Sequence, residues 1–476
     1  MLFTICHCLL VQWRWCVKRA HKTWKGLLAL VTRRFTWRPN LLVLNPLTAE
    51  QLDSRADEFV KSIDVEAVRD LASSYNDGAP CRIDVTETAR GSFNVCFFAR
   101  FAHQVLVVRV PIQPVVHDAW GKLRSEVCTM LYIQENTRIP IPRVRAYGQA
   151  GLLHGHDTEQ AFMILDYVDG HPLVEKHLLS SSKQDRCRLF SELIDILAQL
   201  RQLEFSTGGS LMPGLAQGSS SRPAVTGVLS IPLNDLRIQG YSFLPSPPKS
   251  TDEYVSQQRH LLRDYFQLPA PALDQKTAEL ELFALHTIDQ LSGVLNHERE
   301  PFVLSHTDLR CSNIMVDDEL HIVGIIDWEW AATVPTSLFI PPSWVTRSED
   351  LFLEFSSVLS SKHASSLHSQ LVKEWGSQHA TASRVAEILQ KPHQLVSVFY
   401  RFIYPRLYTR PREEVVSEYF LCGRKQRELL GLLRNSERYT RYLKENNLFI
   451  EDDEETRQAQ EWLAKVQAFY DGKETL

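Results

Sequence analysis

The chain has 476 residues, of which 44% are hydrophobic and 23% are charged, and its formal net charge is −5. This composition is that of a globular protein, long enough for one large two-lobed domain or two to three smaller ones, and the charge excludes a general attraction to nucleic acid. The nine cysteines include no paired CxxC motif. We therefore expect neither a zinc site nor a disulfide framework, and a reducing, cytoplasmic location.

Residues 1–45 differ in composition from the rest of the chain. Residues 1–40 hold eight Lys and Arg, four Trp and no acidic residue. Basic residues mixed with tryptophan suit contact with an anionic membrane surface, and an acid-poor basic leader also resembles an organelle-targeting peptide. A leader without any role is the alternative. No run in the chain approaches the roughly 18 apolar residues that are needed to span a bilayer.

Residues 46–168 are predicted to be rich in β-strands. Helical spacing over 51–75 ends at the turn signal Asn76-Asp77-Gly78. Apolar, β-branched and aromatic runs then predict strands, and a 3.6-residue apolar period predicts one helix. In chain order the predicted elements are strands at 81–88, 93–101 and 104–110, a helix at 122–133, extended Pro-rich chain at 139–144 and a strand at 161–168.

Residues 169–476 are predicted to be mainly helical. A strong amphipathic pattern covers 188–205. Segments rich in Gly, Ser and Pro predict loops at 207–223 and 244–250, and two further helices are predicted at 253–266 and 274–297. The acidic run at 451–455 is interpreted as a solvated helix start.

The stretch "SHTDLRCSNIMVDD", residues 305–318, follows the apolar run "FVLSH". It predicts a hairpin of two short strands, 313–316 and 320–326, with Asp327 directly after the second. Because neighbouring strands end close together, we expect Asp308, Asn313 and Asp327 on one side of this hairpin. Phosphoryl transfer needs such a set: a carboxylate that orients the attacking hydroxyl, and an amide and a second carboxylate that hold Mg²⁺ against nucleotide phosphates.

Together with "VVRVP" (107–111), "SEV" (125–127) and "AFMILDYVDGHPL" (161–173), this motif resembles the aminoglycoside phosphotransferase/choline kinase branch of the protein-kinase-like superfamily. It is most similar to fungal phosphotransferase-domain proteins, and the resemblance runs from about residue 80 to 345. It implies an α+β, two-lobed fold with ATP bound between the lobes. The N-lobe, a small antiparallel β-sheet, would lie within 46–168 and the larger, mainly helical C-lobe within 169–476.

The resemblance also implies a role for each motif residue. His306 would support the geometry of the catalytic loop. The other implied roles are catalytic base for Asp308, Mg²⁺ ligand for Asn313 and Asp327, phosphate contact and its ion-pair partner for Arg109 and Glu126, and adenine contacts through the backbone of Asp166, Tyr167 and Val168.

The sequence departs from the family pattern at two positions. Arg109 takes the place of the usual phosphate-contacting lysine, and a planar guanidinium has a different reach from an ammonium group. The phosphate loop "ETARGSFN" (87–94) has one glycine. The amides near Gly91 and Ser92 can approach a phosphate, although a single glycine is more often only a turn.

The function expected from these residues is an ATP- and Mg²⁺-dependent phosphotransferase that acts on the hydroxyl group of a small molecule. The alternative is a kinase-fold pseudoenzyme that binds nucleotide or a partner without turnover. A protein kinase is disfavoured because "WEWAATVP" follows Asp327 where protein kinases have Phe-Gly. An aminoglycoside is a poor candidate for the acceptor because the segment beyond Asp327 is more apolar than acidic, and no pattern indicates an oligomeric state.

Several residues near the motif have both a functional and a structural interpretation. Glu329 and Asp169 either line a substrate pocket or are ordinary acidic residues near loops. Cys311 lacks a flanking histidine and is expected to be an inert thiol. Three tryptophans either fill the helical lobe or form a wall on the substrate side, with core packing as the default: Trp328, Trp330 and Trp344.

Overall fold

The computed structural model describes residues 45–155, 157–214, 222–243, 245–295, 300–377 and 380–450. These residues belong to one compact unit, Val43–Leu476. The predicted leader, apart from its last residue, and the acidic run at 451–455 lie outside the described residues. In the described part of the chain, no helix has the length and apolar character that a membrane crossing requires.

The N-terminal part of this unit is built on a six-stranded antiparallel sheet with the strand order β1-β3-β4-β6-β5, in which β2 also pairs with β3. Two helices precede the sheet, and a third connects β4 to β5. The elements are α1 (Ala49–Ser62), α2 (Val65–Ser74), β1 (Arg82–Ile83), β2 (Ala89–Arg90), β3 (Asn94–Arg100), β4 (Val105–Pro111), α3 (Ala119–Asn136), β5 (Val144–Ala150) and β6 (Gln160–Asp166).

One face of this sheet packs in a hydrophobic core, and the other lines a cleft. Successive side chains of a strand point to opposite faces, so Leu106 and Val108 on β4 are buried in a core with α1 and α2. Val107 and Arg109 alternate with them and lie on the other face, where they line a cleft. The register pairs Arg109 with Cys96 on β3 and with Met163 on β6, so this charged residue lies in the middle of the sheet.

Helix α3 packs beside the cleft face of the sheet. It begins at Asp118, whose side chain accepts a hydrogen bond from Gly121 N at 2.8 Å, a favourable N-cap. Its buried residues include Val127 and Met130, but also Lys122 and Glu126. These two charged residues are four apart and therefore share one face of the helix.

The C-terminal part is mainly helical and carries two three-stranded sheets, β14-β11-β8 and β13-β12-β7. Its first half consists of β7 (His171–Pro172), α4 (Glu175–Ser180), α5 (Lys183–Arg201), β8 (Glu204–Phe205), β9 (Leu211–Met212), β10 (Ala224–Val225), α6 (Ile231–Ile238), α7 (Thr251–Gln267), α8 (Gln275–Leu291), β11 (Phe302–Ser305), β12 (Ile314–Val316), β13 (Ile322–Ile325) and β14 (Ala332–Pro335). The remaining helices are α9 (Ser343–Thr346), α10 (Glu349–Ser361), α11 (Ser369–Ser377), α12 (Ala380–Gln390), α13 (Leu395–Val398), α14 (Tyr404–Leu407), α15 (Arg412–Tyr419) and α16 (Gly423–Glu445).

This arrangement, a small antiparallel sheet followed by a larger helical part, confirms the predicted α+β two-lobed fold. The assignment of the lobes to 46–168 and 169–476 stays a prediction. The strands predicted at 93–101, 104–110 and 161–168 and the helices predicted at 122–133 and 253–266 are present within a few residues of their predicted bounds.

Two predicted elements at the start of the chain were wrong. The helix predicted over 51–75 is interrupted, because Ile63 is extended and bridges to Leu153 while Asp64 caps α2 through Glu66 N and Ala67 N. The strand predicted over 81–88 stops at Ile83. The Asp84 side chain there accepts hydrogen bonds that favour a 3₁₀ turn over Val85–Glu87.

Phe283 lies at the centre of an aromatic cluster in the helical part and is 1% exposed. Its ring centroid lies 5.0 Å from Tyr419, 5.6 Å from Tyr408 and 6.0 Å from Phe399. Replacing a buried phenylalanine with alanine leaves a cavity, so Phe283→Ala is expected to lower the free energy of unfolding by about 3–5 kcal/mol.

Denaturant unfolding followed by circular dichroism measures this loss, with Phe352→Ala as the matched control, since Phe352 is 42% exposed. Equal midpoints for the two variants would contradict the burial of Phe283.

Candidate active site

A cleft of about 990 Å³ separates the inner face of the β-sheet from the segments around β12 and β13. Its volume is at the upper end of the range of about 300–1,000 Å³ typical of small-molecule sites. Among the residues that line it are Gly91, Ser92, Asn94, Val107, Arg109, Glu126, Leu165, Asp166, Tyr167, Val168, Asp308, Arg310, Asn313, Met315, Ile326, Asp327 and Glu329.

The loop from His306 to Asn313 borders this cleft and is fixed by hydrogen bonds to the protein behind it. His306 is buried, and its Nε2 lies 2.9 Å from the carbonyl oxygen of Ile326. Since a carbonyl only accepts, this nitrogen carries the proton. The Thr307 hydroxyl donates to Trp330 O at 2.8 Å, and Trp344 Nε1 donates to Leu309 O at 3.2 Å. These bonds fix the loop against the segment that carries Asp327.

The structure brings Asp308, Asn313 and Asp327 together on the cleft, as the hairpin prediction expected. Asn313 Nδ2 donates to Asp308 O at 2.9 Å, and Ile326 N donates to Asn313 O at 3.0 Å. Asp327 has a φ of +67°, a left-handed conformation that few residues other than glycine adopt. Such strain often accompanies functional sites, and it turns the Asp327 carboxylate away from the direction that a continuing strand would give it.

Arg109 occupies the centre of a buried charge network. Its Nη1 pairs with Glu126, as the family resemblance implied, and its Nη2 pairs with Asp327. The same Nη2 lies 3.2 Å from Glu329 Oε2. A single guanidinium therefore joins the sheet, helix α3 and the segment after β13.

Lys122 is a second cation in this network, which sequence reasoning missed. Its ammonium group pairs with Glu329 and lies 3.3 Å from Asn94 Oδ1, while Asn94 Nδ2 donates to Glu329 Oε2 at 2.6 Å. Both charged side chains are 3% exposed. The available signal was the spacing of four residues between Lys122 and Glu126, which places both on one helix face.

The network shifts the pKa values of its members. Burial opposes the charge on Arg109, but three carboxylates outweigh it and hold the guanidinium pKa well above its ordinary value. Burial alone would raise the pKa of Asp327, yet Arg109 and Lys122 hold it below its ordinary range. Burial raises the pKa of Glu126 to about 7, against the opposing effect of Arg109. Loss of either cation would therefore favour protonation of Glu126 and Asp327.

His306 and Cys311 behave as the structural interpretation expected. Burial lowers the pKa of His306, so its ring is neutral near pH 7 and holds the loop through one N–H. Burial raises the pKa of the Cys311 thiol to about 12, which leaves it protonated and unreactive. The three tryptophans are buried, as predicted: Trp328, Trp330 and Trp344.

Asp166, Tyr167 and Val168, the predicted adenine contacts, lie at one edge of the cleft. The amides of Asp166 and Tyr167 donate within the lobe, to Arg143 O and Val105 O. Those two N–H groups are therefore already used in hydrogen bonds within the protein and are not free to contact adenine. Apolar side chains that the sequence reasoning did not assign supply walls for a planar ring: Val107, Leu165, Met315 and Ile326.

Gly91 and Ser92 also lie at the cleft, but the Gly91 N–H donates to Asn94 O at 2.8 Å. This hydrogen bond closes a tight turn, so the amide of Gly91 is not directed at a ligand. Of the two acidic residues left open, Glu329 lines the cleft but is neutralised by Arg109 and Lys122, while Asp169 does not line it.

Asn313 and Asp327 have the donor chemistry of a magnesium site. A carboxylate and an amide carbonyl are hard oxygen ligands, and Mg²⁺ typically takes only one or two protein ligands beside substrate phosphates and water. One oxygen of Asp327 is shared with Arg109, so an ion at this position would compete with the guanidinium for the carboxylate. The residues therefore fit Mg²⁺ if Arg109 releases part of its contact.

A sheet lobe and a helical lobe that enclose an Asp/Asn/Asp cleft define a protein-kinase-like fold. The family model described as "Phosphotransferase enzyme family" matches residues 97–335, which is half of the chain. The chain therefore belongs to the phosphotransferase enzyme family, as its motif indicated.

Individual relatives are more distant. The chain is 25% identical over 320 residues to clavilactone A biosynthesis cluster protein Y of Ampulloclitocybe clavipes, a match that covers 63% of this chain and 70% of that protein. It is 27% identical over 108 residues to the mitochondrial protein "Altered inheritance of mitochondria protein 9" of Meyerozyma guilliermondii, covering 22% of this chain and 17% of that protein. Among solved structures, the GDP complex of wild-type aminoglycoside 2'-phosphotransferase-IIIa is similar with a TM-score of 0.43 and 14% identity, covering 79% of this chain and 98% of that chain.

The buried network predicts that Lys122→Met is strongly destabilising. Removing one partner of a buried ion pair costs about 3–5 kcal/mol, and here it leaves Arg109 as the one cation of the network facing Glu126, Asp327 and Glu329. The double variant Lys122→Met/Glu329→Gln should recover part of this loss because it removes one of these carboxylate charges as well.

Chemical unfolding of both variants and of wild type measures the coupling as a double-mutant cycle. Lys276→Met, at an exposed position of α8, is the control for lysine removal. A single variant as stable as wild type would show that Lys122 is not needed to balance Glu329.

Proposed function

We propose that this protein is an ATP- and Mg²⁺-dependent phosphotransferase that phosphorylates the hydroxyl group of a small molecule. The observation that carries the proposal is the convergence of Asp308, Asn313 and Asp327 on one cleft that Arg109 also lines. Family membership supports the reaction class. The cytoplasmic location expected from the cysteines stays a prediction.

Each side chain in the cleft has a distinct task in this proposal. Mg²⁺ held by Asn313 and Asp327 would offset the charge of the nucleotide phosphates. Asp308 orients the acceptor hydroxyl and accepts its proton, because it lies on the fixed loop between His306 and Asn313. Arg109 positions the phosphates from the sheet, and its contact with Glu126 keeps the guanidinium in place.

A pseudoenzyme is the second candidate, and two contacts favour it. Arg109 pairs directly with Asp327, the carboxylate that a metal would need, and the Gly91 amide is used inside its own turn. In this alternative the network is purely structural, and the protein binds nucleotide or a partner without turnover.

Two variants separate these candidates. In wild type, saturating ATP with Mg²⁺ is expected to raise the free energy of unfolding by about 2.7 kcal/mol at a hundred times Kd. Asp327→Ala should lose this Mg²⁺-dependent gain, whereas Asp308→Asn should keep ATP affinity within a few-fold and lose turnover, since only the proton acceptor is removed.

Thermal unfolding with and without ATP and Mg²⁺, together with ADP release, measures both effects. Asp318→Ala is the control, because that carboxylate lies on the exposed turn of the hairpin. If no condition stabilises the wild-type protein, the pseudoenzyme candidate replaces the proposal.

The Arg109 contact leads to a prediction about the metal. A lysine at this position offers one compact ammonium group, whereas the planar guanidinium group of arginine reaches several carboxylates. Arg109→Lys should keep the pair with Glu126, release Asp327 and lower the Mg²⁺ concentration for half-maximal stabilisation by ATP about threefold or more. Activity should be retained or raised.

A Mg²⁺ titration of thermal stability at fixed ATP measures this shift, with Arg441→Lys at an exposed position as the control. An unchanged or higher Mg²⁺ requirement would indicate that the site depends on the guanidinium itself.

A further inference from the structure

The side of Asp308 that faces the C-terminal helices carries an excess of positive charge. Arg310 Nε lies 3.1 Å from Asp308 Oδ2, and Lys391 Nζ lies 3.7 Å from Asp308 Oδ1. Lys391 directly follows α12, well beyond the segment 97–335 that the family model covers. Its side chain is only 20% exposed, which is unusual for a lysine whose nearest carboxylate among the described residues lies 3.7 Å away.

Two arginines add to this excess. Glu387 Oε1 lies 2.7 Å from Arg347 Nη2, and its Oε2 lies 2.8 Å from Arg384 Nη1. One carboxylate thus serves two guanidinium groups. We call Arg310, Arg347, Arg384 and Lys391 the acceptor-side cation cluster. Its four positive charges face two carboxylates, Asp308 and Glu387, which are also the negative charges that act most strongly on Lys391.

This cluster is separate from the nucleotide cleft. Of its four members only Arg310 lines that cleft, and no cleft residue in the described chain lies beyond Glu329. Lys391 and Glu387 line a second cavity of about 40 Å³, whose other lining residues are mostly apolar and include Thr307 and Leu309, the neighbours of Asp308 in the chain. A cavity needs roughly 10–15 Å³ of such volume to hold one water molecule, so this cavity has room for a group the size of a carboxylate.

A buried ammonium group without a close counter-ion is costly. Burial, reinforced by the neighbouring guanidinium groups of Arg347 and Arg310, holds the pKa of Lys391 below its ordinary value, against the attraction of Asp308. An incoming anion would supply the missing negative charge. An incoming ammonium group would meet net repulsion at the same position.

We propose that the phosphate acceptor is an alcohol that carries an anionic group, a carboxylate or a phosphate ester, and that Lys391 binds this group beside Asp308. The inference rests on the proposed function and names the substrate class of the same site. Lys391 is thus a specificity-determining residue, and Arg310 and Arg347 reinforce the positive potential around it.

The transfer step follows from this placement. The acceptor hydroxyl oxygen forms a bond to the γ-phosphorus while the bond from that phosphorus to the bridging β–γ oxygen breaks, and ADP leaves with the electron pair. The hydroxyl proton goes to Asp308. Lys391 takes no part in bond making and acts by placing the hydroxyl next to the Asp308 carboxylate.

Four compounds with one three-carbon diol skeleton test the proposal: glycerate, glycerol 3-phosphate, uncharged glycerol and cationic 3-aminopropane-1,2-diol. Binding to the full chain is measured by thermal unfolding, with and without AMP-PNP and Mg²⁺. Both anions are expected to bind at least about tenfold tighter than glycerol, which corresponds to 1.4 kcal/mol, and the ammonium compound is expected to bind most weakly. The ranking of the two anions tells a carboxylate subsite from a phosphate subsite.

Three variants complete the test. Lys391→Met should abolish the preference for anions and leave stabilisation by AMP-PNP and Mg²⁺ unchanged, Lys391→Arg should retain the preference, and the exposed Lys276→Met should behave as wild type. Equal binding of glycerol and the anions, or an anion preference that survives in Lys391→Met, would overturn the proposal. A missing AMP-PNP shift in wild type would instead count against the proposed function, because the binding of the diols is scored without nucleotide as well.

Discussion

The geometry of the cleft depends on one buried guanidinium. Arg109 is 8% exposed and reaches Glu126 on α3 and Asp327 after β13, with Glu329 3.2 Å away. Burying several charges is stabilising only when each keeps its partners, because the desolvation cost of an unpaired ion is several kcal/mol. The sheet, helix α3 and the Asp327 segment therefore depend on one another. Displacing any one of them would leave a buried charge on another without its ion-pair partner.

Lys122 makes this arrangement possible. Arg109 alone would face three carboxylates, and a second cation on the same helix brings the network to two positive and three negative charges. The network as a whole therefore keeps an excess of one negative charge. A site that is to hold a divalent cation benefits from such an excess, and the pair between Arg109 and Asp327 keeps it balanced before an ion arrives. Under the proposed function, Arg109 would pair with Asp327 until the metal binds and would also contact the phosphates.

The sequence was sufficient for the parts of the fold that carry a strong local pattern. Strands β3, β4 and β6 are mainly apolar runs of strand length, and α3 shows a 3.6-residue apolar repeat, so their types and approximate bounds were predicted. The break at Ile63 was not predictable, because it depends on a bridge to Leu153, a contact between residues distant in the chain. Strands of two residues such as β7 and β8 are too short to show any period.

The same distinction applies to the site. Asp308, Asn313 and Asp327 lie within one hairpin, and local spacing was enough to predict that they share a cleft. The partner of Lys122 is Glu329, and the partner of Lys391 is Asp308, so neither lysine belongs to a local motif. The charge networks of the two lysines differ in sign. The network of Lys122 has a net negative charge and includes Asp327, the proposed metal ligand, whereas the cluster around Lys391 has a net positive charge beside Asp308. Under the proposed function, each incoming partner relieves the imbalance of its own network, and the fixed loop from His306 to Asn313 keeps Asp308 between them.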